Sequence, residues 1–72
     1  MNTRFYIDYF ERYLDADEQT RQEALDHWRR CDEENRKQDR PDLIMFSSKM
    51  LTIIELADRT VRRFERGSLT SL

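Results

Sequence analysis

An all-helical fold is predicted from three observations on this 72-residue chain. It carries one glycine, one proline and few β-branched runs, which leaves strands and tight hairpins without support. Its apolar residues recur at helical spacing, most clearly between Pro41 and Arg66. Its charged residues, 39% of the chain with a net formal charge of −2, interleave the two signs as solvated helix faces do. The whole of 1–72 reads as one helical domain, with helices over about 3–14, 18–38 and 42–66 and a flexible tail over 67–72.

The first helix has Asn2 or Thr3 as its cap and an unusual aromatic content. Phe5, Tyr6, Tyr9, Phe10 and Tyr13 fall close together, with Ile7 and Leu14 beside them and only Asp8, Glu11 and Arg12 marking a wet side. At about 100° per residue the apolar group spans roughly 200°, wider than one packing partner covers. Phe10, Tyr13 and Tyr6 are read toward the core, with Phe5, Tyr9 and their neighbours forming either its edge or a contact surface; aromatic rings serve both uses.

Asp15-Ala16-Asp17-Glu18 interrupts the helix and restarts it, with Asp15 or Asp17 as the second cap. The stripe of the second helix is thin: Thr20, Ala24, Trp28 and Cys31 align, Leu25 flanks them and Asn35 continues the line. No apolar residue follows Cys31 until Leu43, so the highly charged end is expected to stay helical through pairs such as Asp32 with Arg36. It should end before Pro41.

The third helix organises the rest. Pro41 and Asp42 suit a helix start and Gly67 a stop. Leu43, Phe46, Met50, Ile53, Ile54, Ala57, Val61 and Phe64 occupy an arc of about 100°. Ile44, Met45, Leu51 and Leu56 lie off that stripe, so the first half of the helix is apolar on most sides and needs more than one neighbour. Arg59, Arg62, Arg63 and Arg66 crowd its expected C-terminus, where cations complement the helix dipole.

A short aromatic helix followed by a long antiparallel helical hairpin is the arrangement that results. The second helix is too sparse to cover the third on both sides, so a second copy is expected to complete a dimeric helical bundle. A chain this short draws only about 3–5 kcal/mol from one core, and a second subunit is a usual supplement. Disulfides within the chain are excluded by its single cysteine, Cys31, which suits a reducing cytoplasm. Met1-Asn2-Thr3-Arg4 leads directly into the aromatic segment, and no apolar run approaches a membrane span of about 20 residues, so a cytoplasmic protein without secretory leader or membrane partner is expected.

Little in the chain reads as catalytic. Glu23, His27 and Cys31 follow at intervals of four and would share one flank of the second helix, but no second His or Cys exists to complete a metal site. A thiol activated by His27 would also need a concave site and an orienting group. No phosphate loop, serine elbow or paired-carboxylate motif occurs, so no enzyme activity, metal or cofactor is expected. The function expected instead is that of a small protein–protein interaction module, a regulator or inhibitor of the antiactivator or phage-inhibitor kind, occluding a surface of a larger protein. Phe5, Tyr6, Tyr9, Phe10 and Tyr13 with Ile44, Met45 and Leu51 are its candidate adhesive residues. The alternatives are a secretion-type chaperone or a nucleic-acid-associated regulator in which Arg59, Arg62, Arg63 and Arg66 contact phosphates or an acidic surface. The negative net charge and the interspersed Asp58 and Glu65 rank the nucleic-acid reading lower.

Overall fold

The structure, a computed structural model, describes residues 3–70 and the side chains of 3–65. Three helices follow one another: α1 (Thr3–Asp15), α2 (Glu18–Lys37) and α3 (Pro41–Thr70). The protein is all-helical, with no strand among the described residues. It is elongated, with extents of 50 × 24 × 15 Å, because α3 at about 1.5 Å per residue runs almost the length of the long axis.

Most helix ends have a local cause. Thr3 is the first helical residue of α1, and Asn2 lies outside the described residues. Asp17 caps α2, its Oδ1 accepting the Thr20 N–H at 2.8 Å. Hydrogen bonding to Thr20 holds the Asp17 carboxyl below its ordinary range. At the other end of α2, Gln38 is the C-cap. The Asp39 N–H bonds the Arg36 carbonyl at 3.2 Å and the Arg40 N–H bonds the Asn35 carbonyl at 3.1 Å, closing a Schellman motif. Asp39 takes the left-handed position, φ 52°, where glycine is the usual occupant and a short polar side chain is tolerated. The Arg40 carbonyl then accepts the Ile44 N–H at 2.9 Å, and Pro41 fills the first helical position, where its missing N–H costs nothing.

One predicted boundary is corrected: α3 passes through Gly67 to Thr70 instead of stopping there. A glycine ends a helix by adopting positive φ, which Gly67 does not do; inside a helix it costs only about 1 kcal/mol relative to alanine. Of the tail expected over 67–72, residues 71 and 72 lie outside the described residues. The longer helix also moves the arginines away from its end, whose last turn holds no basic residue, so dipole compensation does not account for them.

The core lies between α2 and α3. On α3, Ser47, Met50, Ile54 and Ala57 are buried and Val61 is half-buried, at alternating spacings of three and four. On α2, Arg21, Leu25, Trp28, Asp32 and Asn35 follow the same alternation, the spacing of a coiled-coil seam. This seam differs from the expected stripe. Thr20 is exposed, and its neighbour Arg21, which reads as a wet residue in sequence, is only 3% exposed.

Arg21 can be buried because its guanidinium meets a carboxylate on one edge and a backbone carbonyl on another. Its Nε donates to Asp58 Oδ1 at 2.9 Å and its Nη1 to the Ala16 carbonyl. Asp58 Oδ2 accepts from Arg62 Nε at 2.9 Å, and Arg62 Nη2 reaches Glu18 at 2.9 Å. Partial burial pushes the Asp58 carboxyl up, but hydrogen bonds from Arg62 and Arg21 outweigh it and leave the carboxyl below its ordinary range. A second polar layer closes the other end of the seam. There the buried Ser47 hydroxyl donates to Asp32 Oδ1 at 2.7 Å, Asn35 Nδ2 donates to the Leu43 carbonyl at 3.2 Å, and Arg36 Nε donates to Asp32 Oδ2 at 2.7 Å. Early α2 thus meets late α3, and late α2 meets early α3.

Helix α1 lies on another flank of α3 and runs parallel to it, early residues against early and late against late. Phe5 approaches Phe46, Tyr6 approaches Lys49, and Leu14 shares a groove with Val61 and Phe64. It buries no residue.

Candidate interaction surface

An isolated amphipathic helix directs its widest apolar arc at its support, and α1 has more arc than α3 can cover. Phe5 is 38% exposed and Ile7 is exposed, while Tyr6, Tyr9, Phe10 and Tyr13 are half-buried. The rings form a chain of contacts: Tyr13 to Tyr9 at 6.1 Å, Tyr9 to Phe5 at 4.8 Å, Phe5 to Phe46 at 6.4 Å and Phe46 to Trp28 at 5.6 Å between centroids. These are separations and tilts at which ring quadrupoles attract. The expected division into inward Tyr6, Phe10 and Tyr13 and outward Phe5 and Tyr9 is softened accordingly, since Tyr9 is as much an edge residue as they are.

Cations border the rings. Arg12 lies over Tyr9 at 5.4 Å and Lys49 over Tyr6 at 5.8 Å, within cation–π range. Burial raises the Tyr13 hydroxyl above its ordinary pKa; the neighbouring Tyr9 adds to this and Arg12 opposes it. Between α1 and α3 an open groove of ≈ 530 Å³ is lined by Thr3, Tyr6, Ser48, Lys49, Thr52 and Ile53.

The α3 candidates separate. Met45 is 61% exposed, whereas Ile44 and Leu51 are half-buried. At about 100° per residue Ile44 and Leu51 share the flank of α3 that carries Asp58 and Arg62, the flank turned to α2. The better companion of Met45 is Leu56, half exposed and on the same side of the helix; its position off the main stripe was the available signal. Phe64, assigned to the stripe, is 74% exposed.

The arginines differ in their surroundings. Arg59 and Arg63 are exposed, Arg62 is engaged by Asp58 and Glu18, and the Arg66 side chain lies outside the described residues. The two carboxylates keep the Arg62 guanidinium's pKa raised, hydrogen bonding to Asp58 being the larger cause. On α2, Glu23 accepts from Gln19 at 3.1 Å, and the Cys31 sulfur lies 3.6 Å from His27 Nε2. Among the described residues no three acidic, His or Cys side chains gather in a metal-binding group. No helix among them is long and apolar enough to cross a membrane.

No family model matches the chain, and neither the curated proteins nor the solved structures contain a significant match to it.

Proposed function

We propose that this chain is a non-enzymatic protein–protein interaction module, a regulator or inhibitor that occludes a surface of a larger protein. The observation that carries the reading is the ratio of hidden to displayed apolar residues. Among the described residues, Leu25, Met50, Ile54 and Ala57 are the buried hydrophobic ones, whereas Phe5, Ile7, Leu43, Met45, Leu56 and Phe64 remain exposed. Scattered single apolar residues are normal on a surface; large ones outnumbering the core of so small a chain are what contact surfaces supply. The adhesive face is assigned to the aromatic side of α1 with Met45 and Leu56. Aromatic anchors suit such a face because they bury much area at little rotamer cost, and methionine because its flexible thioether adapts to the surface it meets.

The α2–α3 pair is read as an antiparallel hairpin, supported by the reversed order of its polar contacts, and the exposed residues of α3 support a dimer through a second copy. The test has two stages. The protein retained from the native host is identified, and its binding is then measured with Phe5→Ala/Tyr9→Ala and with Arg62→Ala/Arg63→Ala at low and high salt. Loss through the first pair, with weak salt dependence, is expected; a steeply salt-dependent interaction lost through the second pair would replace this reading with phosphate recognition. Sedimentation at micromolar concentration should give a dimer, and a monomer there removes the second copy from the proposal.

A further inference from the structure

We infer that α1 is a detachable arm, which undocks from α3 and melts as a unit while α2 and α3 stay joined. Four observations carry this, independently of any partner. First, no residue of α1 is itself buried, whereas Arg21 and Leu25 of α2 and Ser47, Met50, Ile54 and Ala57 of α3 are. Releasing α1 therefore takes half-buried rings, and no fully buried side chain of its own, into water.

Second, the seam is finished at both ends by groups outside α1. The Arg21–Asp58–Arg62–Glu18 chain closes one end and the Asp32–Ser47–Asn35 layer the other. Third, the start of α2 owes nothing to α1: Asp17 supplies its cap, and Arg21 Nη1 holds the Ala16 carbonyl, so the hinge stays anchored to α2 when the arm leaves.

Fourth, α1 is a poor helix alone. It has 13 residues, its first turn holds no acidic residue but does hold Arg4, and at its negative end Asp15 offsets the one favourable charge there, Arg12. Helices below about 12–15 residues are marginal in water, so undocking and melting coincide. That coincidence makes the opening measurable, because the α1 amides lose their hydrogen bonds whenever the arm leaves.

The experiment is native-state hydrogen exchange on the full chain, read residue by residue and corrected for intrinsic rates. The amides of Tyr9 to Leu14 are expected to exchange about 100-fold faster than those of Met50 to Ala57. A difference below about tenfold overturns the inference, since α1 would then open only with the whole molecule. Phe5→Ala supplies an independent reading: it should speed exchange in α1 and leave the Met50–Ala57 amides unchanged. Equal acceleration in both places also overturns the inference.

Discussion

Along α2, α3 buries Met50, Ile54 and Ala57 and closes both ends of the contact with paired charges and hydrogen bonds; along α1, the same helix meets a run of half-buried rings. The two contacts use different physics. The first excludes water and then must satisfy every polar group it traps, which it does, since no buried side-chain nitrogen or oxygen among the described residues lacks a partner. The second leaves water at its edges and relies on ring area and cation–π contacts, which tolerate displacement. A contact of the first kind sets a structure. One of the second kind leaves a surface that can be used again.

The contrast breaks most sharply at Asp58. Replacing it with alanine leaves the Arg21 guanidinium buried without its counter-ion, a loss of about 3–5 kcal/mol, comparable to all the stability a core this small supplies. Urea denaturation should show it, and the double replacement Arg21→Met with Asp58→Leu should recover most of it because it removes the trapped charge as well. A small effect of Asp58→Ala would mean that Arg21 finds water, and the seam would be looser than described.

A smaller contrast comes from equal truncations on the two flanks. Ile54→Ala should cost about 2–4 kcal/mol, through lost transfer energy and the cavity left behind. Ile7→Ala on α1 should stay within about 0.5 kcal/mol, because that side chain is already half in water. Similar losses at both positions would remove the distinction between seam and arm.

Smallest is the effect of acid. Asp58 and Asp32 both sit below the ordinary carboxylate range; for Asp32 the Arg36 hydrogen bond is the first cause and the Ser47 hydroxyl the second. The unfolded chain therefore binds their protons first. The stability these groups add is fully present above about pH 4 and is lost as pH falls through their lowered folded values. The urea midpoint should fall between pH 5 and pH 2, and Asp32→Asn should flatten that fall.

Much of this was legible in the residues, for reasons that also explain what was not. Asp17 as a cap, Pro41 as a start, the Asp32–Arg36 pair and the buried Met50, Ile54 and Ala57 are local or periodic signals. Arg21 in the seam was not, because its burial depends on a carboxylate 37 positions away and arginine alone reads as wet. Taking Thr20 for the inner residue follows from the same omission: without Arg21 the remaining apolar residues of α2 define a neighbouring line. Ile44 and Leu51 were read as displayed because they lie off the main stripe, and they are half-buried because their flank, which carries Asp58 and Arg62, is the one α2 covers. The exposure of Met45 and the wide apolar arc of α1 were visible directly, since no partner within the chain was needed to find them.

The polar layers at the two ends of the seam also act as a vernier. Sliding α2 by one heptad, about seven residues, in one direction takes Asp32 from Ser47 to the level of Ile54, and in the other takes Arg21 from Asp58 to the level of Leu51. Either slip strands a charge against hydrocarbon, whereas Leu25, moved by the first slip from the level of Ile54 to that of Val61, only exchanges one aliphatic neighbour for another. Mutual alignment of the two rods is thus dictated by their few hydrophilic contacts, and the greasy ones supply cohesion without choosing where to stop.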